Sequence, residues 1–144
     1  MKKLLCLVII LTFVFMSGCQ YAVERDKRAM LEIYGNDDNY ITLIGEVTEI
    51  DSESGYYVML SIKCEELKQY DFNADEWKYL VFSSSNNLNI DVGDTIVYKT
   101  VLNRFNYMDE FLPIVAIDKN DETILGFEEG KENLINCVKQ IQYK

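Results

Sequence analysis

The sequence contains no histidine. This absence excludes Ser-His and Cys-His nucleophilic pairs, histidine general bases and histidine metal ligands. Carboxylate, lysine and tyrosine chemistry stay open, but the chain has no nucleophile elbow, phosphate-binding loop or metal-ligand pattern. We therefore expect no catalytic residues, no metal ligands and no cofactor, and we do not expect an enzyme.

Positive charge is scarce as well. The chain has 14 Lys and Arg against 24 Asp and Glu. Two of the basic residues and none of the acidic ones lie in residues 1–18, so the rest has 12 basic and 24 acidic residues and a formal charge of −12. Phosphate backbones are bound through lysine and arginine, which release condensed counterions. The acidic excess therefore argues against a nucleic-acid partner and favours solubility.

The sequence also lacks an apolar run long enough to cross a membrane. Lys2 and Lys3 precede residues 4–16, which are apolar except for Thr12, and Ser17 and Gly18 follow. A transmembrane helix needs about 20 apolar residues. A basic start, a short apolar run and small residues are typical of a signal peptide.

No Ala-x-Ala cleavage pattern ends this segment. Instead Met16, Ser17, Gly18 and Cys19 resemble the lipobox of bacterial lipoproteins, although Met16 stands where that family prefers leucine. The resemblance implies that residues 1–18 are removed, that Cys19 carries diacylglycerol, and that the remainder is anchored to a bacterial membrane, outside the cytoplasm. A plain signal peptide or an uncleaved anchor are the alternatives, and both also place the remainder outside the cytoplasm.

If the lipoprotein interpretation is right, two of the four cysteines belong to the folded domain. Cys6 leaves with the signal peptide and Cys19 takes the lipid, so only Cys64 and Cys137 could form a disulfide. Such a bridge would close a loop of about 73 residues and contribute roughly 4 kcal/mol. The alternative is two core thiols, because Cys64 continues an apolar alternation and Cys137 lies on a helical stripe.

The chain after Cys19 divides into two parts. Residues 19–39 are expected to be the lipidated N-terminus and a tether, either a short helix or a flexible stalk. Residues 40–144 are expected to form one β-rich domain, with residues 65–77 as a short helix or loop. The apolar patterns predict strands over residues 40–50, 56–64, 78–83, 95–105, 111–117 and 122–127, followed by a helix over residues 128–141.

Residues 40–118 resemble an OB-fold in three features. These are the series of short strands, a glycine at position 45 inside the first strand, and the "VGD" turn at residues 92–94. The resemblance implies a small antiparallel barrel with a ligand face on strands two and three and the neighbouring loops. A small β-sandwich or an α+β arrangement is the alternative.

Three aromatic residues are candidates for that face: Tyr57 on strand two, and Tyr79 and Phe82 on strand three. Covering the core is the alternative role for each of them. Residues 71–76 and 118–129 space their acidic side chains partly like calcium loops, but neither has the required glycine, so a solvated turn is expected.

The sequence therefore predicts a lipid-anchored, non-catalytic binding or accessory module at the cell envelope. Its expected partners are the membrane, through the lipid, and an envelope protein, peptide or glycan. The alternatives are a lipid-anchored structural or inhibitory protein without a ligand pocket, and an envelope enzyme that uses carboxylates.

Overall fold

A computed structural model describes residues 22–52, 58–70, 76–102 and 111–141. The signal-peptide segment, the lipobox, Cys19 and Tyr57 lie outside the described residues. Within the described ranges, no helix is long and apolar enough to cross a membrane.

Six strands and two α-helices make up this part of the chain. The strands are β1 (Ile41–Asp51), β2 (Val58–Lys63), β3 (Glu76–Val81), β4 (Thr95–Thr100), β5 (Leu112–Lys119) and β6 (Glu122–Leu125). The helices are α1 (residues 22–35) and α2 (Phe127–Gln140), and short 3-10 segments cover Asp37–Asn39 and Glu65–Tyr70. Each predicted strand is present, and where the structure describes its ends they differ from the predicted ones by a few residues.

The first five strands close into a barrel. The sheet order is β3-β2-β1-β4-β5-β6, and a further parallel pairing between β3 and β5 joins the two sides. β6 is the outer strand of a hairpin with β5. This closed barrel with a C-terminal helix confirms the predicted OB-fold-like class. The alternative of a β-sandwich is not the arrangement found.

Gly45 lies where β1 changes partners. The first half of β1 pairs with β4 as far as Glu46, and the second half pairs with β2 from Glu46 onward, with a register shift between Val47 and Glu49. A Cβ on Gly45 would lie 2.4 Å from Cγ2 of Ile62 and 2.8 Å from the carbonyl oxygen of Lys63. The missing side chain therefore lets β2 cross close to β1, as a barrel of this size requires.

The barrel interior holds the larger hydrophobic core. Alternate residues of each strand point inward, as shown by Val58, Leu60 and Ile62 of β2, which are all buried. This confirms the alternation predicted for residues 56–64. Met59, Ser61 and Lys63 therefore belong to the outer face.

A second core lies between the barrel and the two helices. It contains Met30, Tyr34, Phe82, Val101, Val115, Leu134 and Val138, all buried. Met30 and Tyr34 are one helical turn apart on α1, so α1 is part of the folded domain. Of the two alternatives for residues 19–39, a short helix or a flexible stalk, the structure contains the helix from residue 22 onward.

The two helices run antiparallel. Near the start of α1, the ammonium of Lys27 donates a hydrogen bond of 3.4 Å to the carbonyl oxygen of Lys139, near the end of α2. Beyond the end of α1, Asp37 forms an ion pair with Lys131 in the second turn of α2. The start of α1 and the end of α2 therefore lie together.

No disulfide joins Cys64 and Cys137. Cys64 is buried in the barrel core, whereas Cys137 packs against the second core beneath the helices. The alternative of two core thiols is therefore the one that this structure contains.

Candidate functional site on the outer face of the barrel

A row of outward side chains crosses β1, β2 and β3. Glu49 stands opposite Ser61, and Ser61 stands opposite Lys78. Phe111 immediately precedes Leu112, which pairs with Tyr79, so Phe111 lies beside Lys78. Four segments of the chain thus contribute to one line across the barrel surface.

The register shift in β1 brings its acidic residues to this surface. Leu43 and Val47 point inward at odd positions, but Ile50 packs against the barrel core at an even one. One extra residue, at the shift between Val47 and Glu49, reverses the alternation. Glu49 and Asp51 consequently face outward, where strict alternation would have buried them.

Two hydrogen bonds hold the middle of the row. The Ser61 hydroxyl donates to Oε2 of Glu49 at 3.3 Å, and the Thr48 hydroxyl donates to the carbonyl oxygen of Ser61 at 3.1 Å. Ser61 is almost buried although it points outward, because its neighbours cover it. Glu49 therefore has a defined direction on an otherwise open surface.

A shallow depression lies at this row. Its lining, called the barrel-face site below, consists of Glu49, Asp51, Met59, Leu60, Ser61, Lys78 and Phe111. Its volume is about 60 Å³, whereas pockets that enclose a drug-sized ligand measure about 300–1,000 Å³. The barrel-face site can therefore take a side chain or a sugar hydroxyl of a ligand that lies across the surface.

A second, larger depression of about 200 Å³ lies between the β1–β2 end of the barrel and the connection from β3 to β4. Its lining includes Ile50, Leu88 and Ile90 with the amides of Asn86 and Asn87. It offers no ionisable group among its lining residues, whereas the barrel-face site offers both signs of charge. The barrel-face site is therefore the better candidate for specific recognition.

On the same outer face, the residues beside the barrel-face site form a second row in which acidic and basic side chains alternate. Lys63 stands between Glu46 on β1 and Glu76 on β3. Lys78 likewise shares its surroundings with Glu49 and Asp51. Over the described part of this face there is no continuous basic stripe of the kind that a phosphate backbone needs.

Glu49 and Asp51 form the pair of carboxylates most relevant to catalysis, since both line the barrel-face site. A general acid and base need a site that excludes water and holds one of them protonated. Glu49 is exposed and is held by Ser61, and the depression is open to solvent. This arrangement suits recognition of charged groups better than proton transfer.

Two of the three predicted ligand-facing aromatics are buried, so the prediction is wrong for them. Tyr79 points into the barrel core because it alternates in phase with Val81. Phe82 follows the end of β3, where its N–H donates to the carbonyl oxygen of Ile114 and its ring lies in the second core. The unbroken apolar run "YLVF" did not show which residues face inward.

Tyr79 instead forms a polar pair inside the barrel. Its hydroxyl lies 3.0 Å from the hydroxyl of Tyr98, and the ring centroids are 5.2 Å apart in an edge-on arrangement. Burial raises the pKa of both phenols above the usual tyrosine range, because a phenolate would be poorly solvated there. Both stay protonated and contribute to the core and not to chemistry.

High pH should destabilise the domain through these groups. Tyrosine in an unfolded chain ionises near pH 10, whereas burial raises the pKa of Tyr34, Tyr40, Tyr79 and Tyr98 in the folded state. Above that pH the folded state keeps protons that the unfolded state releases, so the free energy of unfolding falls as pH rises. Below it these groups have no such effect.

Denaturant unfolding followed by circular dichroism across this pH range measures the decline. The Tyr79→Phe/Tyr98→Phe variant, which lacks two of the four groups, should show a decline about half as steep. An equally steep decline in that variant would assign the alkaline sensitivity to other groups.

Residues 118–129 contain the predicted turn as a tight β-hairpin turn, which β6 and the start of α2 follow. Asn120 and Asp121 have φ values of 53° and 64° between β5 and β6, and the Thr123 hydroxyl donates to Asp118 at 2.7 Å. Across the ranges that the structure describes, no three His, Cys, Asp or Glu side chains cluster as a metal site would require.

The apolar alternation over residues 56–64 implies that Met59 and Ser61 face outward, but the local pattern did not identify the contributions of Glu49, Asp51, Lys78 and Phe111. A signal was present, since two acidic residues at inward positions of a strand indicate a register shift. Comparisons with protein-family models, curated proteins and solved structures give no match for this chain.

Proposed function

We propose that this protein is a bacterial lipoprotein, anchored through a diacylglyceryl group on Cys19, whose barrel is a non-catalytic binding module at the outer side of a membrane. The observation that supports binding is the barrel-face site, where Glu49, Ser61, Lys78 and Phe111 meet in one row. It occupies the strand-two and strand-three face that OB-folds use for ligands.

The anchor is supported by the order of features in the first 19 residues. Two lysines, an apolar run and "MSGC" follow one another as they do in lipoprotein signal peptides. Two or three acyl chains on one cysteine hold a soluble domain at a membrane, where a single chain binds only reversibly. The formal charge of −12 after residue 18 fits a domain that is soluble outside the bilayer.

The geometry favours an extended partner. A depression of about 60 Å³ is too small to enclose a small molecule. Lys78 can pair with a carboxylate, Glu49 and Asp51 with an ammonium or guanidinium group, and Met59 and Phe111 with an apolar side chain. These contacts together suit a peptide segment of an envelope protein that carries both charges, with a glycan as the next candidate.

Reversing the charge of Lys78 should weaken this binding. In Lys78→Glu, a partner carboxylate loses its charged hydrogen bond and meets a like charge, so affinity should fall about tenfold or more. Stability should change by less than about 0.5 kcal/mol because Lys78 is exposed. Photo-crosslinking in the native envelope, with the crosslinking amino acid at Met59, measures capture of the partner in both backgrounds.

The matched control carries the same crosslinking amino acid at Thr123 on β6, away from the barrel-face site. The proposal is supported if the crosslinker at position 59 captures a protein that the crosslinker at position 123 does not. Lys78→Glu should reduce that capture. Equal capture from both positions, or capture that Lys78→Glu leaves unchanged, would remove the barrel-face site as the binding surface.

A further inference from the structure

The antiparallel helix pair concentrates basic residues at one end. The start of α1 and the end of α2 lie together, as the contact between Lys27 and Lys139 shows. This end, called the basic end below, has four basic residues against the two acidic residues Glu24 and Asp26. The basic residues are Arg25, Lys27, Arg28 and Lys139.

The opposite end of the pair is strongly acidic. Asp37 and Lys131 meet there, and the Tyr40 and Phe127 rings are in edge-on contact at 5.1 Å. Around them are two cations, Lys131 and Lys99, whose ammonium lies 4.6 Å from the centroid of the Phe127 ring. They are accompanied by six carboxylates, which belong to Glu32, Asp37, Asp38, Glu128, Glu129 and Glu132. A chain of formal charge −12 after residue 18 thus has a locally positive surface only a helix length from a strongly negative one.

The basic end presents its charges to solvent. Arg25 has 71% of its side chain exposed and makes a 3.6 Å contact with Asp26. Arg28 and Lys139 are also exposed. Lys27 is only 16% exposed, because its ammonium group bridges to the carbonyl oxygen of Lys139 and to Glu24. Three cations are therefore available to an external partner, and the fourth holds the two helices together.

The basic end is close to the anchor along the chain. Helix α1 is described from residue 22, three residues after Cys19, and three residues span at most about 11 Å even when fully extended. The Debye length at physiological salt is about 8 Å, and the potential of an anionic leaflet decays over that distance. The start of α1 is thus held within roughly one and a half Debye lengths of the anchored cysteine, and Arg25 and Arg28 follow within the first two turns of the helix.

We infer that the basic end lies against anionic lipid headgroups and orients the anchored domain on its membrane. This inference rests on the proposed lipid anchor at Cys19. Each lysine or arginine near an anionic surface favours contact by about fivefold. The acidic end of the helix pair is repelled by the same surface, so both ends favour one orientation.

The orientation is testable with the lipid-modified full-length protein in vesicles. A fluorescent amino acid replaces Glu24 at the basic end or Glu132 at the acidic end, so both labels change the charge equally. Vesicles of phosphatidylcholine, with or without phosphatidylglycerol, contain a headgroup-spin-labelled lipid as quencher. In the presence of phosphatidylglycerol, we expect stronger quenching at position 24 than at position 132.

Removing two cations should weaken the orientation. Arg25→Gln/Arg28→Gln should lower the equilibrium constant for the oriented state about 30-fold, so quenching at position 24 approaches its value in phosphatidylcholine alone. Lys63→Gln/Lys68→Gln removes the same charge from exposed positions at the end of β2 and in the 3-10 segment that follows it, and should leave the quenching unchanged. Equal quenching of the two labels, the same quenching without phosphatidylglycerol, or an equal effect of the control pair would overturn the inference.

Flotation of the vesicles separates the two proposals. If the protein does not float with vesicles, the lipid anchor is wrong and the orientation fails with it. If the protein floats but the two labels are quenched equally, the anchor stands and only the orientation is wrong.

Discussion

Gly130→Ala should destabilise the fold by about 2–3 kcal/mol, although the same substitution in an open helix stabilises it by about 1 kcal/mol. The reason for the reversed sign is the contact between α2 and β5. A Cβ on Gly130 would lie 2.1 Å from the carbonyl oxygen of Val115 and 2.7 Å from its Cα. A backbone atom cannot rotate away, so the helix must move off the barrel and loosen Leu134 and Val138 in the second core.

Gly35→Ala is the matched control for Gly130→Ala. Gly35 is also a helical residue, and a Cβ there has no neighbour within 4 Å. It should leave stability unchanged or raise it slightly. Chemical denaturation of both variants gives the difference, and a Gly130→Ala protein as stable as Gly35→Ala would show that α2 does not pack this closely on β5.

Gly45→Ala should destabilise the barrel by a similar amount, about 1–3 kcal/mol. Its Cβ would lie 2.4 Å from Cγ2 of Ile62 and 2.8 Å from the carbonyl oxygen of Lys63. β1 and β2 would have to separate where β1 changes partners, and the register of the whole β1–β2 pair depends on that crossing. Denaturant unfolding measures the loss.

A double-mutant cycle identifies the contact behind this loss. Ile62→Ala alone should cost about 2–5 kcal/mol because it leaves a cavity in the barrel core. In Gly45→Ala/Ile62→Ala the new methyl group takes space that Cγ2 of Ile62 has vacated, so the combined loss should be smaller than the sum. Strict additivity would mean that the crowding at Gly45 does not involve Ile62.

Much of the barrel was predictable because its strands show their inward residues locally. The alternation of Val58, Leu60 and Ile62 with Met59, Ser61 and Lys63 predicts both the strand and its outer face. The pairing that closes the barrel was not predictable in this way. β3 and β5 pair in parallel across a long stretch of chain, and no turn signal marks such a contact.

The sequence did not decide between a helix and a stalk for the segment that forms α1, because the apolar stripe of α1 is short. Of its residues, Met30 and Tyr34 are fully buried, and charged residues flank them on both sides. Leu31 and Ile33 add only partly buried contacts, and so short a stripe does not distinguish a helix from a stalk. The partner surface from α2 and β5 decides the outcome, since tertiary packing supplies most helix stability in a protein.

The barrel-face site was only partly predictable because it depends on register. Met59 and Ser61 follow from the alternation of β2. Glu49 reaches the same face only through the register shift after Val47, and Phe111 only through the pairing of Leu112 with Tyr79. These are properties of the assembled sheet, which a local pattern of residues does not contain.

The central claim is that this binding module is attached to a membrane through Cys19, and mass spectrometry of the protein extracted from its native membrane tests it most directly. The account predicts an N-terminal peptide that begins at Cys19 and carries a diacylglyceryl group, and a Cys19→Ser variant that incorporates no labelled fatty acid and leaves the membrane fraction. A Cys19→Ser protein that still carries the label and stays in the membrane fraction, or a native N-terminus at another residue, would contradict it.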